Sequence, residues 1–484
     1  MKLSHTLART SAVLDDPNLV SCAGLVPVMA LADAAGLRTL TDERLTVATD
    51  KGANAGLKVA SIVGGMLAGA DSIDDMALLR HGGMSKVFAS AYAPSTLGQF
   101  LRAFTFGHVR QLDAVAARFL LALAARTRLL TGPGAQEGIG TAPAAGEYAL
   151  LDVDDTIIEV HGHQKQGAGF GYSRVRGLNA FLATLTTAGH APVIVAQRLR
   201  KGSCGSPRGA ARLIGDAVKQ ARRLLGKDRA VLARMDSAFF GAPAVRAALA
   251  GGADVSVTVR MTSTIKTAIT GIDESAWTTI EYTDAIRDET TGAWISRAEV
   301  AEIPFTAFAA QTKAHHVPGR LIVRRIPDFH ADEKKAAGQG TLFDLFDVWR
   351  FHAFFTTTEP DVLDTVAADQ LHRHHAIIEQ VHADLKHSAL AHLPSGKFTA
   401  NAAWLVLAVI AFNLTRPAAT VTGEPTLAKS TTATIRRKLI AVPGRVASSA
   451  RRITLHLPQQ WPWQTAWTQL FTLGCGPPTT AART

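Results

Sequence analysis

The sequence has only three cysteines in 484 residues, Cys22, Cys204 and Cys475. They are widely separated and odd in number, which excludes a disulfide framework and a Cys-x-x-Cys metal knuckle and fits a reducing compartment. The N-terminal segment has no signal-peptide pattern, because its first apolar stretch comes late and is broken by Asp33. The most apolar run, 402–412, is too short to span a bilayer and predicts a buried helix. We therefore expect a cytoplasmic protein with no membrane partner.

Acidic residues are in deficit: 40 Asp and Glu stand against 51 Lys and Arg, giving a formal charge of +11. The excess is local. Residues 196–235 hold eleven basic residues against two acidic ones, and residues 411–484 hold nine against one. A concentrated positive charge indicates a polyanionic partner, most often nucleic acid. The hydrophobic fraction of 47% excludes a chain disordered throughout.

The composition of the chain changes at 131–146. This segment is rich in Gly, Pro and Ala, which predicts a linker. The part before it has helical periodicity, with a helix-turn-helix pattern at 55–80 and a further helix opening at Pro94. Gln99 and Arg102 lie off the apolar face of that helix, as a DNA-facing helix requires. An ordinary helical bundle would give the same pattern.

After the linker the predicted order is β-β-β-α-β-α-β, over residues 148–160, 179–187, 191–198, 207–225, 230–235, 242–250 and 254–260. This is the order of the RNase H-like fold, although other α/β layouts share it. Short strand-like pieces follow, and helical signal returns from 359. We therefore predict an α/β protein: an RNase H-like core, a mixed sheet with helices, interrupted by a β-rich insertion and preceded by a helical DNA-binding domain. The expected divisions are 1–130 (helical domain), 131–146 (linker), 147–261 (core, first part), 262–350 (insertion), 351–415 (core, second part) and 416–484 (basic C-terminal region).

Three aspartates, Asp152, Asp154 and Asp155, interrupt the apolar run of the first strand. Unpaired carboxylates in a buried strand are costly, so such a cluster indicates a compensating metal or basic group. Asp152 and Asp154 share one face of the strand and Asp155 points to the other. Asp236 ends the fourth strand, which in this sheet would lie beside the first. Asp236 and Asp154 are therefore expected to meet.

A later helix carries Glu379, with Lys386 seven residues on and hence on the same face. On this helix His375, Glu379 and His382 are also spaced i, i+4 and i+7, a pattern that could bind Zn²⁺ or iron in a metal-dependent hydrolase. His161 and His163 alternate after the first strand, where we expect a hairpin near the active-site edge in preference to a metal site.

An ordered set of motifs runs along nearly the whole chain: PSTLGQFLRAF (94–104), LDVDDTIIEVHGHQKQG (151–167), ARMDSAFF (233–240), RLIVRR (320–325), HRHHAIIEQVHADLK (372–386), KFTANAAW (397–404) and RRKLIAVPGR (436–445). Taken together they resemble the DDE transposases of bacterial insertion sequences, most of all the insertion-sequence family numbered 1380. The resemblance implies that Asp154, Asp236 and Glu379 are the catalytic triad and bind two Mg²⁺ or Mn²⁺ ions. Asp154 is preferred to Asp152 because Thr156 follows it at the family spacing.

The implied activity is hydrolysis at a transposon end, which frees a 3′-OH, followed by attack of that 3′-OH on target DNA. Related transposases carry Tyr-x2-Arg-x3-Glu-x6-Lys around the Glu. Here the Tyr and Arg positions are His372 and His375, while Lys386 is kept.

The implied partner is double-stranded DNA, both terminal inverted repeats and target, with a homodimer in the synaptic complex and nucleoid association when bound. The expected DNA-binding residues are Lys386, Arg373, His375, His372, Arg325, Arg324, Arg102 and Gln99. The alternatives are an inactive DNA-binding descendant of a transposase and the His/Glu hydrolase.

Overall fold

The structure is a computed structural model that describes residues 1, 4–48, 50–127, 129–130, 148–287, 294–327, 349–449 and 452–477. The linker predicted at 131–146 lies outside these residues.

The N-terminal part is helical, as predicted, apart from one two-residue strand. The strand is β1 (Leu19–Val20), and the helices are α1 (Leu25–Ala34), α2 (Leu37–Arg44), α3 (Ala55–Ala68), α4 (Met84–Val87), α5 (Pro94–Arg102) and α6 (Phe106–Thr127). The second part of the predicted helix-turn-helix forms a 3-10 helix, Asp74–Leu79. Pro94 begins α5 at a position where its missing N–H costs nothing.

The central part forms strands and helices in the predicted order, with one additional two-residue strand, β3. They are β2 (Ala149–Glu159), β3 (Gly169–Phe170), β4 (Arg176–Thr186), β5 (Val193–Lys201), α7 (Ala210–Leu225), β6 (Val231–Met235), α8 (Ala242–Ala250) and β7 (Asp254–Thr258). β2 lies between β4, its antiparallel neighbour, and β6, its parallel neighbour, and β7 runs parallel to β6. β5 pairs with the other side of β4. The strand order is therefore β5-β4-β2-β6-β7.

The segment predicted as a β-rich insertion extends this same sheet. It contributes α9 (Ser263–Thr270), β8 (Thr278–Arg287), β9 (Trp294–Ala307) and β10 (Val317–Pro327), and β11 (Trp349–Thr356) begins at its end. β11 pairs antiparallel with β7, and β10, β9 and β8 follow in that order. The result is one ten-stranded mixed sheet.

Helices cover both faces of the first five strands. One face packs against α7 and α8 through side chains such as Leu151 and Val153. The opposite face, which includes Ile158 and Leu182, packs against the N-terminal helices and two later helices, α11 (Ile377–Lys386) and α12 (Phe398–Thr420). α10 (Thr365–Arg373) precedes α11, and one 3-10 turn, His374–Ala376, joins them.

Among the described residues only α12 is long and apolar enough to cross a membrane, and 89% of its most apolar window is buried inside the protein. It is the helix predicted from 402–412, and it packs against α6, α3 and β5 as a core element.

The C-terminal part returns to the N-terminal helices. Its elements are α13 (Pro425–Ala428), α14 (Thr432–Ile435), a π-helical turn (Arg436–Ile440), β12 (Gly444–Ser449), β13 (Arg452–His456) and α15 (Gln464–Cys475). β12 pairs with both β1 and β13, and α15 packs on α1. The two ends of the chain therefore share one hydrophobic core.

Candidate active site

The first of the three aspartates on β2, Asp152, is fully buried and fully paired. Arg234 on β6 donates from Nε and Nη2 to its two carboxylate oxygens, at 2.7 and 2.8 Å, and His375 Nδ1 lies 2.9 Å from Oδ1. Burial alone would raise the pKa of Asp152, but the Arg234 charge and His375 hold it below its ordinary value. Arg234 also donates to the carbonyls of Leu371 and His374. This cluster fixes the junction of α10 and α11 onto the sheet.

Asp155 points to the other face of β2 and is also paired. It accepts hydrogen bonds from Arg200 Nη2 and from Ser206 Oγ, the latter at 3.2 Å. Arg200 stacks 4.1 Å above the ring of Phe181 and donates to Asn179 Oδ1 at 2.9 Å. Asp155 is therefore part of a structural ion pair.

Asp154 and Asp236 are different, because no arginine or lysine forms an ion pair with either carboxylate within the described residues. The parallel register pairs Val153 with Met235, so Asp154 and Asp236 follow at matched positions on neighbouring strands. Burial, with repulsion from Asp236, raises the pKa of Asp154 to about 7, although a backbone hydrogen bond opposes the shift. Burial also raises the pKa of Asp236, whose Oδ1 accepts the Ala238 N–H at 3.0 Å. Within the described residues, the sheet thus holds two neighbouring carboxylates without an ion pair to arginine or lysine.

Helix α11 covers this carboxylate pair. His382 is buried, and its Nε2 lies 3.6 Å from Asp154 Oδ2 without a hydrogen-bond partner. Burial, then the Lys386 charge, lowers the pKa of His382 to about 3, so its ring is neutral. Lys386 is half-buried; burial lowers its pKa, and the Asp154 charge acts against that shift. His375 acts electrostatically on both Asp154 and Asp236.

Glu379 lies on the exposed surface of α11. Because it precedes Lys386 by seven residues on an unbroken helix, the two side chains share one face. Within the described part of the chain, no group of three or more His, Cys, Asp or Glu side chains is arranged to hold a metal ion. The structure therefore brings together Asp154 and Asp236 and leaves Glu379 apart from them.

The donor set suits a hard divalent cation. Mg²⁺ and Mn²⁺ prefer carboxylate oxygens and keep several waters, so two protein carboxylates form a workable core. A bound cation would also favour the charged form of Asp154, whose pKa is raised mainly by burial and to a lesser extent by the Asp236 charge. Asp154 and Asp236 are the residues that would hold such an ion.

Comparison with known proteins supplies the family. A family model described as transposase DDE domain, group 1, matches residues 14–473. The chain belongs to this DDE transposase family. No curated protein matches the chain. Among solved structures it is similar to the piggyBac transposase, seen by cryo-EM in a synaptic complex with hairpin DNA. The identity is 9% and the TM-score 0.40, over 95% of this chain and 86% of that one. That likeness is too low to transfer a fold or residue roles.

Two of the residues expected at the DNA interface of the transposase are engaged inside the protein. The ring of His372 lies between Ser256 and Thr258, at 2.8 and 3.0 Å from their hydroxyls, and stacks on Phe354 with centroids 4.1 Å apart. Burial lowers the pKa of His372 to about 3, so it carries no charge near neutral pH. His375 is held by Asp152. The Tyr and Arg positions of the family motif are thus occupied by histidines that pack α10 and α11 onto the sheet.

The other arginines expected to bind DNA, Arg324 and Arg325 on β10 and Arg373 on α10, also contact acidic side chains of the protein. The Arg325 side chain is 3% exposed; it forms ion pairs with Glu274 and Glu299 and lies between the rings of Trp277 and Trp349. Arg324 Nε is 4.0 Å from Asp369 Oδ1, and Arg373 donates to the same carboxylate at 2.8 Å.

By contrast, Gln99 and Arg102 are exposed on α5, as predicted from the sequence. Their role in DNA binding stays a prediction.

The basic segment 196–235 divides into structural and exposed residues. Arg198, Arg200, Arg222 and Arg234 are used internally, in ion pairs or in hydrogen bonds to carbonyls. The exposed members include Arg212, Lys219 and Arg223, which share one face of α7 and are called here the α7 basic row. Only the exposed part of the charge is available for phosphates.

The sequence analysis did not identify Arg234 and Arg200 as the ion-pair partners of Asp152 and Asp155, which leave Asp154 as the unpaired aspartate of β2. The sequence did contain a signal for these pairs, because an arginine within an apolar strand, such as Arg234 in 231–235, needs an acidic partner when it is buried. His382 was considered only for a rival metal site.

Proposed function

We propose that the protein is a DNA transposase of the DDE type, which cleaves DNA at transposon ends and transfers the 3′-OH into target DNA. Asp154, Asp236 and Glu379 are the proposed ligands of two Mg²⁺ or Mn²⁺ ions. Membership of the DDE transposase family supports the general activity. Within that family, the motif set favours a relationship to the insertion sequences numbered 1380.

One observation carries the assignment of the site. Of four aspartates on β2 and at the end of β6, Asp152 and Asp155 are neutralised by buried arginines, while Asp154 and Asp236 are not. A protein keeps an adjacent, uncompensated carboxylate pair when a cation binds there. Asp154 is also the aspartate that Thr156 follows at the spacing of the family that the sequence resembles.

The proposed roles of the chain's own groups follow from their positions. Two bound divalent ions would activate a water or 3′-OH and stabilise the leaving oxygen. Asp154 and Asp236 would hold the ions on the rigid sheet, and Glu379 would join them as α11 meets DNA. Lys386, on the same helical face as Glu379, would hold a phosphate beside the reacting bond. Arg234, through Asp152 and the carbonyls of Leu371 and His374, positions α11.

The sheet supports a further part of the proposal. Its order β5-β4-β2-β6-β7, with β2, β6 and β7 parallel and β4 antiparallel, is consistent with an RNase H-like core. We also propose that the helical N-terminal part binds the terminal repeats, that a homodimer joins the two ends, and that the protein acts in the bacterial cytoplasm on nucleoid DNA.

The test is metal-dependent cleavage of a plasmid that carries the chain's own coding sequence with its natural flanks. Wild-type protein with Mg²⁺ or Mn²⁺ should cut at the element ends, and Asp154→Asn and Asp236→Asn should each abolish cutting while DNA binding persists. Glu359→Gln changes an exposed carboxylate before α10 and is the matched control, expected to cut normally. Undiminished cutting by Asp236→Asn would refute the site.

The two alternatives make different predictions. In the hydrolase, His375, Glu379 and His382 would bind one zinc or iron ion, but His375 faces Asp152, His382 faces Asp154 and Glu379 is exposed. The structure does not favour that site. The inactive descendant would bind repeat DNA and never cut it, with either metal.

A further inference from the structure

The hairpin between β2 and β4 exposes two aromatic side chains. Phe170 is 66% exposed and Tyr172 is fully exposed. Large exposed aromatics on a short loop are unusual for a protein surface without a partner. Neither side chain contributes to either of the two large hydrophobic cores.

The loop that presents them is anchored. Arg176 donates to the carbonyl of Gly162 at 2.8 Å, and Lys165 Nζ donates to that of Leu393 at 2.5 Å. The backbone of Gly202 bonds to Gly167 and lies against the loop so closely that a Cβ there would collide with carbonyl oxygens of the hairpin. The two aromatic side chains are therefore presented by a fixed scaffold.

The charge around the tip is mostly positive, although the exposed Glu159 lies opposite Gly177 on the neighbouring strand. Between Val160 and Gly215 the sequence contains no Asp or Glu. Arg174 and Lys201 are exposed beside the tip, and Arg174 adopts a left-handed backbone conformation, with φ of 57°. A surface of exposed aromatics with an excess of cations matches nucleic acid, in which bases stack and phosphates attract the cations.

The hairpin lies toward the same edge of the sheet as the carboxylate pair. It follows the carboxyl end of β2, the same end at which β6 terminates in Asp236. Phe170 pairs with Arg176, one position beyond the pairing of Glu159 with Gly177. The tip thus lies about six residues along the strand from Asp154, or roughly 20 Å. About six base pairs of a DNA duplex bound at the carboxylates would span this distance.

We propose that this hairpin tip is a DNA contact in which Phe170 and Tyr172 stack on unpaired bases of DNA bound at the carboxylates, roughly 20 Å from Asp154. This inference depends on the proposed function in one respect: it assumes that DNA is the binding partner. It predicts that the protein prefers locally unpaired DNA over fully paired DNA, because only unpaired bases offer their faces to the two rings.

The experiment compares two fluorescein-labelled 30-base-pair duplexes, one fully paired and one with a three-base unpaired bubble, both in EDTA. Wild-type protein should bind the bubble more tightly. Phe170→Ala/Tyr172→Ala, which removes two stacking rings, should weaken bubble binding by roughly 30-fold or more and leave binding to the paired duplex nearly unchanged. Phe170→Trp/Tyr172→Trp, which keeps the rings, should retain the preference.

Ile453→Ala is the control, because Ile453 is 55% exposed on β13, which pairs with β12 outside the ten-stranded sheet. The proposal is overturned if wild type shows no bubble preference or if the double alanine variant keeps it. It is also overturned if that variant changes only self-association, measured by light scattering, since the tip would then be a protein contact. Because this assay contains no metal, failure of DNA cleavage would refute the catalytic proposal without affecting this result.

Discussion

Asparagine at position 154 should stabilise the metal-free protein at neutral and alkaline pH. In the folded protein burial, together with Asp236, raises the pKa of Asp154 from 3.8 to about 7. As pH rises through 3.8 the unfolded chain loses this proton, while the folded protein keeps it until about pH 7. The free energy of unfolding of wild type therefore falls across this window. At 1.36 kcal/mol per pH unit the loss approaches about 4 kcal/mol. This is an upper limit, because 23% of the side chain is exposed.

The assay is urea unfolding of wild type and Asp154→Asn at several pH values in EDTA. The variant's advantage should be near zero at pH 4, grow between pH 4 and 7, and level off above. Adding Mn²⁺ at a hundred times its dissociation constant should raise the free energy of unfolding of wild type by about 2.7 kcal/mol and that of the variant by much less. A variant that is less stable than wild type at pH 8, or a pH-independent difference, would refute the reasoning.

Asp152→Asn is the matched control on the same face of the same strand. Arg234 and His375 hold the pKa of Asp152 below its ordinary value, so its charge stabilises the fold above the unfolded pKa and is lost as pH falls. Removing it should destabilise the protein at pH 8 by about 3–5 kcal/mol. The two neighbouring substitutions are thus expected to have opposite signs.

Three further predictions concern other parts of the molecule. Arg234→Met leaves Asp152 buried without its main partner and should lower the free energy of unfolding by about 3–5 kcal/mol, with partial recovery in Arg234→Met/Asp152→Leu. Alanine at all three positions of the α7 basic row should reduce the slope of log binding constant against log salt by about 2.7 on duplex DNA; an unchanged slope would make the row a solvated surface. Glu379→Gln should lower metal-dependent cleavage at least about a hundred-fold while binding of paired DNA is kept, and equal loss of both would place Glu379 in DNA binding instead.

Much of the fold was predictable because it depends on local patterns. The strands and helices of 148–260 lie where periodicity places them, and α12 forms the buried helix expected from its apolar run. The continuation of the sheet through β11 to β8 was not predictable, since strand pairing between distant segments depends on which edge is free. The 3-10 helix at 74–79 and the strand β1 also depend on neighbours, β1 existing only because β12 lies beside it.

For the site, the sequence by itself determined which residue types were available: three aspartates on one strand, one at the end of another, and a Glu and Lys two turns apart on a helix. Alternation of side chains along a strand already separated Asp155 from Asp152 and Asp154. The family spacing of Thr156 favoured Asp154 over Asp152, but only the tertiary structure gave the physical difference between them. Asp152 is paired with Arg234 and His375, which lie 82 and 223 residues away in the chain. It likewise decided that much of the basic charge of 196–235 serves the interior. Charge counts are additive along a sequence, but neutralisation depends on which groups folding brings within hydrogen-bonding distance.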